Sequence, residues 1–365
     1  MSTPVLFDSA AGQDQSEALL AQVQEAIAKR QPLRIAGSGS KAFYGRPIAA
    51  HLPVLDVTGH RGIVSYDPTE LIITARAGTT LQELNATLDK GGQMLACEAP
   101  AFGPHATVGG MVATGLSGPR RPWAGSVRDF VLGTRLISGL GTHLRFGGEV
   151  MKNVAGYDIS RLLTGSLGCL GVITEASFKV LPKPRCSISV QQAIPVERAL
   201  ARLREWGQQP LPISAAAHDG QTFYLRFEGN EGSVRAAHDR IGGELMDAAY
   251  WGALREQQLP FFEQVHDRRA LWRLSVPSWA EPLAIEGDQL IDWGGAQRWL
   301  RSDASAQTIR TVAEQAGGHA CCFSPAATQS PLHPLTPAIL RLHLNLKAKI
   351  DPQGIFNPGR MFADF

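Results

Sequence analysis

The sequence predicts an α+β fold in two domains with a short closing segment, and three observations carry that reading. Helix-like and strand-like patterns interleave without a regular βαβα rhythm. More than half of the 38 glycines fall between Gly37 and Gly171, whereas most tryptophans come later. Pro182 and Pro184 then break a strand-like run, because proline removes a ladder donor and fixes φ. With 365 residues, 44% of them apolar, the chain can fill more than one core. The expected boundaries are residues 1–184, 185–340 and a tail of 341–365.

In order, Gln15–Arg30 reads as an amphipathic helix with Ala18, Leu19, Val23, Ala26 and Ile27 on one face and Pro32 as its stop. Leu33–Ala36 is a short strand running into Gly37-Ser38-Gly39-Ser40-Lys41. His51–Thr58 and Ile63–Ala77 read as strands. Thr80–Lys90 is a helix opened by a Thr80/Glu83 capping box and ended by Gly91. From Pro104 to Gly115, small and β-branched residues alternate with Gly109 and Gly110. Such a stretch can lie against a planar ring with its amides facing it. Asp158 caps a short helix through Leu163, and Gly171–Leu181 is a strand. Beyond Arg185, helices Val196–Trp206 and Glu231–Ile241 alternate with strands Leu211–Ala217 and Thr222–Phe227 in an α+β cap. Trp251, Trp272, Trp293 and Trp299 are read as core or interface anchors.

Composition excludes several classes. A net charge of +2 gives no basic excess for a phosphate backbone, so no nucleic-acid partner is expected. No apolar run reaches the ~18–20 residues of a membrane span, and no signal sequence follows Met1, so the expected compartment is cytoplasmic. The five cysteines form no C-x-x-C pair, which argues against a metal or iron–sulfur site on this chain.

Gly37-x-Gly39-x-x-Ala42, with Asp56 downstream, superficially fits a dinucleotide fingerprint. That fingerprint needs a helix to start at the loop, and Gly45 and Pro47 prevent one. A nest of main-chain N–H groups facing a phosphate is the alternative, beside a plain flexible turn.

Taken with Thr107-Val108-Gly109-Gly110, Gly125-Ser126-Val127-Arg128-Asp129 and Gly165-Ser166-Leu167-Gly168-Cys169-Leu170-Gly171-Val172-Ile173-Thr174, the first loop resembles the FAD-binding (PCMH-type) domain of the vanillyl-alcohol-oxidase / p-cresol-methylhydroxylase flavoproteins. The tail Ile350-Asp351-Pro352-Gln353-Gly354-Ile355-Phe356-Asn357-Pro358-Gly359-Arg360 is similar to the closing motif of the 2-hydroxyacid branch, which includes glycolate oxidase and D-lactate dehydrogenases. Lys152–Asp158, Leu271–Pro277 and Ile291–Gly295 look closest to the FAD-binding subunits of glycolate oxidases, which work beside a sister flavoprotein chain and an iron–sulfur chain.

The resemblance implies a two-subdomain FAD domain, a cap over the flavin, and a tail that returns to it. Ala36, Gly37, Ser38, Gly39, Ser40 and Lys41 would hold the diphosphate. Thr107, Val108, Gly109 and Gly110 would lie beside the flavin ring, with Ser126 and Asp129 completing that wall. Gly168, Gly171, Val172 and Ile173 would bracket the adenosine. Asn357 and Arg360 would reach the flavin, with Lys152 and Arg360 competing to stabilise the reduced anionic ring.

Two departures stand out. Covalent members carry a histidine where this chain has Ser40, so FAD is expected to be non-covalent. Catalytic relatives carry Trp-x-x-Arg, whose arginine clamps the substrate carboxylate; here Ser275 holds that place and Arg273 is offset by two residues. Those relatives also carry a His-x-Gly-Asp-Gly-Asn-like stretch; the nearest segment here, Gly317-Gly318-His319-Ala320-Cys321-Cys322, lacks it, His319 is read as a packed or surface histidine, and no general base is assigned. The implied activity is oxidation of a 2-hydroxyacid by hydride transfer to FAD, with electrons passed to the iron–sulfur partner. Attachment to the inner face of the cell membrane through the complex stays open. The alternatives are a self-sufficient D-2-hydroxyacid dehydrogenase, an NADPH-binding reductase of a UDP-sugar enol ether, and a non-catalytic FAD-containing assembly subunit or scaffold.

Overall fold

A computed structural model describes residues 13–148, 157–263, 269–324 and 327–365. The chain forms two compact units. One comprises residues up to Leu116, Ser126–Pro182 and Pro334–Phe365; the other comprises Ser117–Gly125 and Lys183–His333.

The first unit holds a five-stranded antiparallel sheet in the order Ile63–Asp67, Ile72–Arg76, Val172–Lys179, Val131–Ile137, His143–Gly147. It also contains a parallel pair, Arg34–Ala36 beside Val54–Asp56. The first helix, Ser16–Lys29, buries Leu19, Val23 and Ala26 against Leu33, Leu55, Val57, Ile137 and Phe356. Burial of leucine and valine side chains of this kind stabilises by about 1.5–3 kcal/mol each. Ala18, expected on the apolar face, is exposed.

Two strand expectations change. His51–Thr58 shortens to Val54–Asp56. Ile63–Ala77 is a hairpin rather than one strand: the Asp67 carboxylate accepts the amides of Thr69 (2.9 Å) and Glu70 (3.0 Å), and Leu71 turns with φ 59°. An Asx turn at Asp67-Pro68 supplies the reversal. The helix Leu81–Lys90 carries its capping box, with the Thr80 amide donating to Glu83 at 2.9 Å.

The second unit is built on an eight-stranded antiparallel sheet in the order Glu244–Leu245, Cys186–Ala193, Thr222–Gly229, Ile213–His218, Asp288–Asp292, Gln297–Ser302, Ala270–Ser275, His319–Cys322. Helices Val196–Trp206 and Glu231–Ile241 contribute Ala199, Trp206, Val234 and Ala237 to one core. Helix Ala306–Gln315 packs Ile309 and Ala313 on Trp272, Leu274 and Leu300 in another. All four anchor tryptophans are buried, and the Trp251 indole donates to the Ser189 hydroxyl at 3.0 Å. Residues 117–125 join this unit although they lie inside the glycine-rich half. Arg120 pairs with Glu228 at 2.6 Å, and the Arg121 guanidinium stacks 4.3 Å from the Trp293 ring centroid. Among the described residues, no helix is long and apolar enough to cross a membrane, and no cluster of side chains could hold a metal ion.

Candidate functional site

The site grows from the end of the Arg34–Ala36 strand. Its continuation, Gly37–Lys41, is a chain of turns with no helix behind it, closed by the Ala42 amide on the Gly39 carbonyl (2.9 Å). Among the described residues, the amides of Gly37, Ser38, Gly39 and Ser40 donate to no protein acceptor. Four successive open donors suit an anion. Gly37 has to be glycine: a Cβ there would stand 2.7 Å from the Thr107 hydroxyl. These residues border a cavity of about 350 Å3, together with Arg34, Ile35, Ala36, Lys41, Thr107, Gly110, Ala113, Leu167, Asn357 and Arg360. That volume lies within the usual range for small-molecule sites.

The second glycine segment differs from its expectation. Val108–Thr114 is a helix, N-capped by the Thr107 hydroxyl, which accepts the Gly110 amide at 3.2 Å. The Val108 amide donates to Thr79 (2.9 Å) and the Gly109 amide to Ala77 (2.8 Å). Its first amides are therefore taken up by the protein, and they do not present a bare main chain to a ring. Gly109 allows close helix–strand approach, since a Cβ there would meet the Ala77 Cβ at 2.9 Å. Val108 is wholly buried, whereas Thr107 and Gly110 border the cavity and Gly109 lines a smaller recess adjoining it.

From the other side come Leu167, Gly168, Gly171 and Ile173. They line a recess of about 100 Å3 that shares Ile35, Gly37, Gly110, Ala113, Leu167 and Asn357 with the main cavity. Val172 points away into the core. Asn357 clasps these parts together: its side chain accepts the Ile35 amide at 2.8 Å and donates to the Leu167 carbonyl at 2.8 Å. Gly168 makes room for it, with φ 72° and a would-be Cβ 2.6 Å from the Asn357 amide nitrogen.

The tail is anchored by a buried ion pair, Lys347 to Asp351 at 2.8 Å. Asp351 also accepts the amides of Ile355 (3.1 Å) and Phe356 (2.9 Å), and Lys347 donates to the carbonyls of Cys169 and Phe356. Arg360 borders the cavity, but its guanidinium donates to the carbonyls of Arg46 (2.6 Å) and Ala42 (2.8 Å). Burial holds its pKa below the usual arginine value. It braces the first loop. The Lys41 ammonium donates to the Ala101 carbonyl at 3.1 Å. Burial pushes the Cys169 thiol up to about 11, so it stays protonated at neutral pH.

Other expected site residues lie elsewhere. Ser126 and Asp129 do not line the cavity; the Ser126 amide donates to Asp129 at 2.8 Å and so caps the single turn Val127–Phe130. Lys152 lies outside the described residues. Arg273 belongs to the second unit, paired in register with Trp299 and Cys321, its guanidinium 5.1 Å from the Phe323 ring centroid. Ser275 lies two residues on, opposite Gln297 and His319. Cys321 and Cys322 are buried free thiols. Arg34 and Leu167 line the cavity although neither was foreseen. The available signal was Arg34 itself, a charge on a short apolar strand leading into a glycine loop.

A row of open amides at one end of an extended, glycine-walled hollow fits a diphosphate-linked dinucleotide. Comparison with known proteins agrees. Residues 13–147 match the family model described as an FAD binding domain. The chain is 56% identical to "Glycolate oxidase subunit GlcE" of Escherichia coli (strain K12) over 351 residues, 96% of this chain and 98% of that one. It is 34% identical to "Glycolate oxidase subunit GlcD" of Bacillus subtilis (strain 168) over 42% of this chain and 33% of that one. A solved alkyldihydroxyacetonephosphate synthase matches with a TM-score of 0.68 over 94% of this chain and 75% of that one; at 17% identity this shows a shared fold. The chain belongs to the FAD-binding glycolate oxidase subunits of the GlcE type.

Proposed function

We propose that this chain is the FAD-binding subunit of a glycolate oxidase complex that converts a 2-hydroxyacid to a 2-oxoacid. The observation that carries this is the run of four open amides, Gly37–Ser40, inside the segment that matches the FAD-domain model. These amides would hold the diphosphate, with Gly168, Gly171 and Ile173 beside the adenosine and Thr107 and Gly110 along the flavin side. When bound, FAD supplies the acceptor for a hydride from the hydroxyl-bearing carbon. Asn357 and Arg360 keep the cavity walls apart and in register, by the bonds described above. Attachment of FAD is non-covalent, since Ser40 stands where a histidine would form the bond. Arg273 is the candidate to meet a substrate carboxylate.

The partners follow from the resemblance to glycolate oxidase subunits, two of which this chain matches. In that complex, electrons leaving the flavin would pass to an iron–sulfur subunit working beside a sister flavoprotein; the five cysteines here, with no C-x-x-C pair, fit a cluster carried by another chain. The working compartment is cytoplasmic. A second reading, self-sufficient oxidation of D-lactate or another D-2-hydroxyacid, draws on the 29% identity to a D-lactate dehydrogenase of Archaeoglobus fulgidus over 54% of this chain. The test is purification alone and with the neighbouring subunits, acid precipitation, and anaerobic addition of glycolate. Yellow supernatant after acid and bleaching of the flavin only in the complex support the proposal. A colourless protein, or flavin retained in the pellet, contradicts it.

A further inference from the structure

Three cationic side chains border the main cavity: Arg34, Lys41 and Arg360. The last two turn their charge toward protein carbonyls, Lys41 to Ala101 and Arg360 to Arg46 and Ala42. Arg34 does not. Among the described residues it forms no ion pair and no side-chain hydrogen bond, and its Nε is buried without an acceptor. Its backbone is fixed by the parallel ladder, with the Arg34 amide on the Pro53 carbonyl at 2.8 Å. A half-buried guanidinium with an unanswered N–H is unfavourable unless an acceptor arrives. The cavity it faces begins at the open amides of Gly37–Ser40, three to six residues further along the same strand–loop unit.

We infer that Arg34 is the cation that reads the cofactor's diphosphate, completing the anion site that the loop amides begin. A planar guanidinium can donate two parallel hydrogen bonds to phosphate oxygens, which an amide nest cannot do from a single group. Arg34 would thereby set the preference of this cavity for a diphosphate-linked nucleotide over an uncharged one. The inference rests on the FAD reading above.

The experiment is calorimetry on the flavin-stripped full-length protein and its Arg34→Gln and Arg34→Lys variants with FAD, ADP and adenosine as ligands. Arg34→Gln is expected to weaken FAD and ADP by roughly 10- to 100-fold and adenosine by less than about twofold. Arg34→Lys should recover part of that loss, and the thermal midpoints of the apo-proteins should agree, which separates binding from folding. The salt dependence of FAD affinity should be shallower in Arg34→Gln. Equal losses for all three ligands, or none for any, overturn the inference. Wild-type protein that binds no FAD at all defeats the dinucleotide reading and this inference together. Wild-type and Arg34→Gln proteins that bind FAD equally tightly defeat the inference alone.

Discussion

The two glycine-rich segments of the first unit have similar composition and opposite construction. Gly37–Ser40 keeps four amides unclaimed at a cavity wall, whereas Val108–Gly110 gives its amides to Thr79, Ala77 and Thr107. One uses glycine to expose the main chain. The other uses it to bring a helix against a strand, where a side chain at Gly109 would strike Ala77. Glycine density therefore marks close approach in both, and only the hydrogen-bond inventory tells ligand from neighbour.

The comparison can be broken most forcefully through the tail. A loop with unclaimed amides cannot hold its own shape; Asn357 and Arg360 hold it, and the Lys347–Asp351 pair holds them. Asp351→Asn, which leaves Lys347 buried without its partner charge, should cost about 3–5 kcal/mol in urea unfolding and release flavin. Unchanged stability would mean the loop stands by itself. Next, Gly109→Ala should destabilise by about 1–3 kcal/mol through overpacking while the folded protein keeps its flavin. Gly37→Ala should weigh the two the other way: flavin affinity down about tenfold, equal to about 1.4 kcal/mol, with a smaller loss in melting than Gly109→Ala, because its Cβ meets a side-chain hydroxyl rather than a strand. A common outcome for the two glycines would erase the distinction. The smallest effect is expected for Thr107→Val, about 1 kcal/mol from the lost helix cap, read by thermal melting.

Much of this was legible in the sequence where local chemistry decides. The helices at Ser16–Lys29 and Leu81–Lys90 announce themselves by apolar spacing and by the Thr80/Glu83 cap, and the Asp158 cap was equally plain. The absence of a helix after Gly39 followed from Gly45 and Pro47. Other features were masked. Asp67-Pro68 sat inside an alternating apolar run, so the hairpin looked like one strand. Three glycines in seven residues hid the Val108–Thr114 helix, whose stability comes from its cap and packing rather than from propensity. The membership of residues 117–125 in the second unit depends on Arg120 meeting Glu228, a pairing that no local pattern encodes. Arg34 carries no local pattern that separates a ligand-facing arginine on a strand from a solvated one.

The clasp made by Asn357 joins positions 322 residues apart in the chain. A ribosome that has finished the glycine loop still has nearly the whole polypeptide to make before the residue that clasps it exists. Cofactor loading is thus expected only once synthesis is complete, and cleavage that removes the last dozen residues would take Ile355 and Phe356 from the first core together with the clasp.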